Sequence, residues 1–80
     1  MTISAELSLY PLGEAGIGQI IHSFIYELEK YDIQLQMGQM STIISGESME
    51  VFAAIEKAFT LAAEQHGVVL VSKISNACPV

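Results

Sequence analysis

The chain has no arginine and no tryptophan, and among its 80 residues there are one cysteine, two prolines and three lysines. Each scarcity excludes something. A lone Cys78, next to Pro79, permits neither an internal disulfide nor a multi-cysteine metal site. It reads as a free thiol in a reducing compartment. Clamps on phosphoryl or carboxylate groups usually rely on arginine, so enzymes built on them lose ground. Lys30, Lys57 and Lys73 are too few for the basic patch that nucleic acid needs. No apolar run approaches the roughly 20 residues that span a bilayer. Met1 to Glu6 also lacks the basic start and apolar stretch of a signal peptide. The expectation is a cytoplasmic protein with no membrane or nucleic-acid partner.

What is present is apolar and acidic. Hydrophobic residues make up 51% of the chain and the formal net charge is −6. A chain of this length is a single domain, residues 1–80, and is marginally stable alone. Small domains without covalent staples often oligomerise. The surplus apolar surface therefore points to cover by other subunits or by a ligand. The acidic balance favours a neutral or cationic ligand.

The most informative stretch runs from Ala5 to Gly13. Ala5, Leu7 and Leu9 alternate with Glu6, Ser8 and Tyr10, as in a strand with one core face and one polar face, before Pro11 and Gly13 end it. From Ile17 the period changes. Ile17, Ile20, Ile21, Phe24, Ile25 and Leu28 form one face of a helix reaching about Lys30. Ile33 to Met37 alternates again, Gly38-Gln39 interrupts at hairpin length, and Met40 to Ser45 is a third strand. Ser48 is a candidate N-cap, with Glu50 in the first turn, favourable for the helix dipole. Phe52, Ile55, Phe59 and Ala62 supply the buried stripe of a second helix, with Val51, Ala58 and Leu61 on its shoulders. Gly67 reads as its C-cap glycine. Val68 to Ile74 is a fourth strand, and Ser75 to Val80 a short tail.

The order βαββαβ predicts a ferredoxin-like α+β sandwich: a four-stranded antiparallel sheet, order 4-1-3-2, with both helices on one face. The expected core is Ala5, Leu7, Leu9, Phe24, Ile25, Leu28, Phe52, Ile55 and Phe59. The other sheet face is bare. Strand 4 is apolar on both sides, the pattern of a strand covered on both faces, which argues for at least a dimer packed through the open face.

Few residues carry chemistry. Gly13, Gly16 and Gly18 follow a strand and open a helix, but their spacing is not a dinucleotide fingerprint and no Gly-Lys-Ser/Thr follows. They read as a strand–helix connection. His22 and His66 have no second ligand at metal spacing. Met37, Met40 and Met49 suit core or interface packing better than a soft metal. No Ser-His-Asp, Cys-His or paired-carboxylate set is apparent, so no enzyme, metal or cofactor is expected. Glu6 stands apart, mid-strand on a central strand. It is either a rim residue in water or an acceptor for an amine or aminopyrimidine donor. Ser8, Ser41 and Thr42 would add hydroxyls, with Tyr10 or Met37 against a flat ring.

Three blocks resemble the small thiamine-binding protein family: Ala5 to Gly13, Met40 to Glu47 (with Thr42 and Gly46 of the family's usual types), and Val71 to Ile74. The resemblance spans nearly the whole chain. It implies non-catalytic binding of thiamine or its hydroxymethylpyrimidine moiety at an interface in a dimer or tetramer built through sheet faces or edges, in thiamine salvage or transport. On this reading Glu6 reads the aminopyrimidine, Ser8, Gln36, Ser41 and Thr42 complete the polar contacts, and Tyr10, Met37 and Ile44 pack on the ring. The rival reading is an effector-binding or protein-interaction regulatory module of the same fold.

Overall fold

A computed structural model describes residues 1–13 and 16–77. Glu14, Ala15, Cys78, Pro79 and Val80, and with them part of the expected loop and tail, lie outside the described residues. Strict alternation makes β1 (Thr2–Pro11) a ten-residue strand. It is followed by α1 (Ile17–Leu28), β2 (Gln34–Met37), β3 (Thr42–Glu47), α2 (Ser48–Gln65) and β4 (Val68–Ser75). The sheet order is β2-β3-β1-β4, and every pairing is antiparallel. This is the expected βαββαβ sandwich, with β1 and β3 central. Both helices contact each other and the same side of the sheet.

The core sits between that side and the helices. Ile3, Ala5, Leu7 and Leu9 of β1 and Ile44 of β3 meet Ile20, Phe24, Ile25 and Leu28 of α1, and Val51, Ala54 and Ala58 of α2. Burying such side chains is the main favourable term in folding, at roughly 25 cal/mol per Å² of apolar surface. The α1 stripe is as expected, except that Ile17 at its start is exposed.

The α2 stripe is rotated. Phe52 is 50% exposed and Phe59 36%, whereas Val51 and Ala54 are fully buried. Ile55 is half-buried against the core. At about 100° per residue, moving the buried line from Phe52 to Val51 turns the helix by about one residue. Ala58, Leu61 and Ala62 line a cleft shared with α1. The two phenylalanines therefore lie on the flank away from α1. Small residues against the sheet let α2 approach closely, and the large ones remain outside.

The helix ends also differ from expectation. Ser48 is the first residue of α2, and Glu47 takes the cap position in extended conformation without a side-chain cap bond. His66 rather than Gly67 is the C-cap, in extended conformation, so Gly67 supplies no left-handed turn. Its carbonyl instead accepts the Leu12 N–H at 2.9 Å. α1 stops at Leu28, and the Lys30 N–H closes one further turn onto the Glu27 carbonyl. Gly13, Gly16 and Gly46 have positive φ, and the last two bear most on the fold. Gly16 caps α1 with φ 80°, a left-handed conformation that costs other residues strain. Gly46 lies against the chain before β2, where an added Cβ would sit 3.3 Å from the Asp32 carbonyl oxygen.

Candidate ligand site on the open sheet face

Residues paired across antiparallel strands point to the same face. With Ala5 and Leu7 in the core, Glu6, Ser8 and Tyr10 of β1 must point away from the helices. Register extends that face across the sheet. Glu6 pairs with Ile43 of β3 and Lys73 of β4, and Ile43 pairs with Gln36 of β2. One row therefore reads Gln36, Ile43, Glu6, Lys73. Ser4 lies between Ser45 and Ser75 in the next row, and Ser8 and Tyr10 pair with Val71 and Val69. Tyr10, Val69 and Val71 are each about half exposed. No element among the described residues covers this face.

Glu6 is the polar centre. Its Oε2 accepts a hydrogen bond from the Ser41 hydroxyl at 2.9 Å. Its Oε1 lies 3.6 Å from the Lys73 ammonium, and the Glu6 side chain is 42% exposed. The Ser8 hydroxyl makes a long 3.4 Å bond to the Met40 carbonyl. The β2–β3 turn is thus tied to the open face at two points. What the arrangement offers is a carboxylate with one oxygen held and the other reachable, beside an exposed phenol and two valines. It can accept donors from a flat, amine-bearing group.

Glu6, Ser8, Tyr10, Gln36 and Ser41 therefore share the open face, as the site assignment required. Thr42, Ile44 and Met37 do not. Thr42 pairs with Leu7 and Ile44 with Ala5, which places both on the helix side, and both are buried. Met37 pairs with Thr42 and borders a groove with Gln19, His22 and Tyr26 of α1. The reason is the two-residue period of a strand: Ser41 and Ile43 share one face, Thr42 and Ile44 the other. Ile43, Val69, Val71 and Lys73 also belong to the open face and were not among the expected ligand residues, although strand 4 was expected to be apolar on that side. The signal was available in β4, where Val69, Val71 and Lys73 alternate with Leu70.

Other features lie away from this face. An open concavity of about 820 Å³ lies at the Thr2 end of β1 and is bordered by Asp32, Glu47 and Glu50. Glu47 there accepts from the N-terminal ammonium at 3.3 Å and the Thr2 hydroxyl at 3.2 Å. Just past the end of α1, Lys30 donates to Glu27 at 3.0 Å and stands 5.1 Å over the Tyr26 ring. The Glu27 hydrogen bond, then its charge, raises the Lys30 pKa above its ordinary value. Met40 and Met49 are exposed rather than in the core. His22 is exposed and His66 half-buried. Among the described residues no three His, Cys, Asp or Glu side chains group to hold a metal ion, and no helix is long and apolar enough to cross a membrane.

The fold and the polar face define the class: a small ferredoxin-like α+β domain with a one-sided sheet. Residues 2–80 match the model of the YKOF-related family, and the chain belongs to that family. No curated protein matches it. Among solved structures it is similar to a hypothetical protein from Methanocaldococcus jannascii, with 25% identity, TM-score 0.86, and coverage of 96% of this chain and 81% of the other. A Streptococcus pneumoniae protein gives 22% identity and TM-score 0.86 over 94% of this chain and 86% of the other. A Thermotoga maritima protein, provisionally assigned to thiamine biosynthesis or salvage, gives 17% identity and TM-score 0.83 over 94% and 83%. At such identities the last two likenesses speak for the fold alone.

Proposed function

We propose that this protein binds thiamine or its hydroxymethylpyrimidine moiety, without catalysis, where the open sheet faces of two or more copies meet. The observation that carries the reading is Glu6: a carboxylate on a central strand, in the middle of the bare face, with Oε2 fixed by Ser41 at 2.9 Å. An aminopyrimidine presents an exocyclic amine and, when protonated, a ring N–H. Together they match a carboxylate, and charge-assisted bonds of this kind are the strong ones. Ser8 and Gln36 would add polar contacts, and Tyr10 would lie against the ring with Val71 beside it. The net charge of −6 favours the positive thiazolium. The provisional thiamine assignment of the Thermotoga protein points the same way. Glu6 acts here only as an acceptor, so the function is carriage or sensing in thiamine salvage or transport rather than turnover.

Assembly is part of the reading. Val69 and Val71 are 44% and 49% exposed on the open face, and a second copy would cover them. β4 is also an edge strand of eight residues; such edges pair readily with other strands unless they are protected. A thermal-shift screen tests the ligand class, because anything that binds the native state raises apparent stability. Thiamine and hydroxymethylpyrimidine should raise the melting temperature and the free amino acids should not. Stabilisation by amino acids alone would instead support an effector-binding regulatory module.

A further inference from the structure

Lys73 is the unexplained part of the open face. Of the three lysines it alone lies on the sheet, since Lys57 is in α2 and Lys30 follows α1, and the chain has no arginine. Register places it directly beside Glu6. Its ammonium lies 3.6 Å from Oε1, the oxygen that Ser41 leaves open, and its side chain is 81% exposed. A separation of 3.6 Å makes an ion pair but not a tight hydrogen bond, and an exposed pair of this kind is weak. The lysine is therefore a local counter-charge on a long, mobile stem.

We propose that Lys73 sets the charge class of ligand that Glu6 accepts, an inference resting on the Glu6 site described above. A cation entering at Oε1 meets the Lys73 charge and must displace it. A ligand that brings an anionic group beside its amine keeps both: Glu6 takes the amine, and Lys73 swings to the anion. Lys73 thus makes an acidic protein tolerant of a phosphate ester that its overall charge would repel, and it weakens binding of the same ligand without the phosphate.

The test is calorimetry with hydroxymethylpyrimidine, its phosphate ester (the phosphate next to the amine) and thiamine on the wild type, Lys73→Gln, Lys57→Gln and Glu6→Gln, at low salt and matched oligomeric state. Lys57→Gln removes the same charge from the helix side and controls for net charge. Lys73→Gln should bind hydroxymethylpyrimidine about two- to five-fold more tightly and its phosphate ester about two- to five-fold more weakly, the range expected for one exposed charge pair. Lys57→Gln should leave the ratio of the two affinities unchanged, and added salt should shrink the Lys73 effect. If Glu6→Gln weakens thiamine binding but Lys73→Gln leaves that ratio unchanged, Lys73 has no such role and the Glu6 site stands. If Glu6→Gln leaves thiamine binding unchanged, the Glu6 site itself is wrong and the Lys73 proposal falls with it.

Discussion

Gly46 shows how much one residue can fix. The chain before β2 passes so close that an added Cβ would meet the Asp32 oxygen at 3.3 Å, tighter than ordinary van der Waals contact, and Ile33 Cγ2 at 3.4 Å, while φ is +158°, a conformation that other residues rarely adopt. Gly46→Ala should therefore destabilise the fold by about 1–3 kcal/mol, read as a lower urea midpoint with an unchanged slope. An unchanged midpoint would mean that the segment yields at no cost. Residue-scale logic also explains where the sequence was legible. Glu6, Ser8 and Tyr10 alternate with aliphatic residues over the whole strand, so their face could be assigned without a partner. Thr42 and Ile44 could not. Two isoleucines in succession, Ile43 and Ile44, break the alternation, and only pairing of Thr42 with Leu7 decides which one faces the helices. Threonine also hides its direction, because its methyl suits a core and its hydroxyl a site. Met37 was decidable: Leu35 packs against the core, and a residue two positions on shares its face.

At the scale of elements, α1 was legible and α2 only in part, for one physical reason. α1 has a polar face to contrast with its isoleucines. α2 is apolar around much of its circumference, with Val51, Phe52, Ala54, Ile55, Ala58 and Phe59 competing for the core, and size favoured the wrong stripe. The observed packing inverts the expected ranking of substitutions. Val51→Ala, at a fully buried position, should cost about 1.5–3 kcal/mol by cavity formation. Phe52→Ala should cost less in the isolated chain despite removing a larger group. Urea denaturation of both variants at low protein concentration checks this, and a larger loss for Phe52→Ala would restore the original stripe. α1 supplies a pH signature. Because the Lys30 pKa is raised in the folded state, the stability it contributes is full below its ordinary value of 10.5. That contribution is lost as pH rises through the higher folded value. The gap in melting temperature between wild type and Lys30→Gln should close in that alkaline window, and a gap constant with pH would mean that Glu27 does not hold Lys30.

For the whole molecule, the distribution of charge suits a protein that hides one face. Glu6 and Lys73 balance each other on the open side, while Glu27, Glu29, Glu56 and Glu64 lie on the helices or their ends. The helix side carries the repulsion and the open sheet face carries little, which suits the proposed cover by a second copy. Light scattering at micromolar concentration should give at least twice the 8.7 kDa chain mass; a monomer would remove the enclosed site. The central claim is that Glu6 is the acceptor at a thiamine-type site, and calorimetry of thiamine on the wild type and Glu6→Gln tests it most directly. Removing a charge-assisted bond from a pocket closed by a second copy should cost about 1.5–3 kcal/mol, roughly ten- to hundred-fold in affinity, with fold and assembly unchanged. Equal affinity in a folded Glu6→Gln of the same oligomeric state would contradict the account.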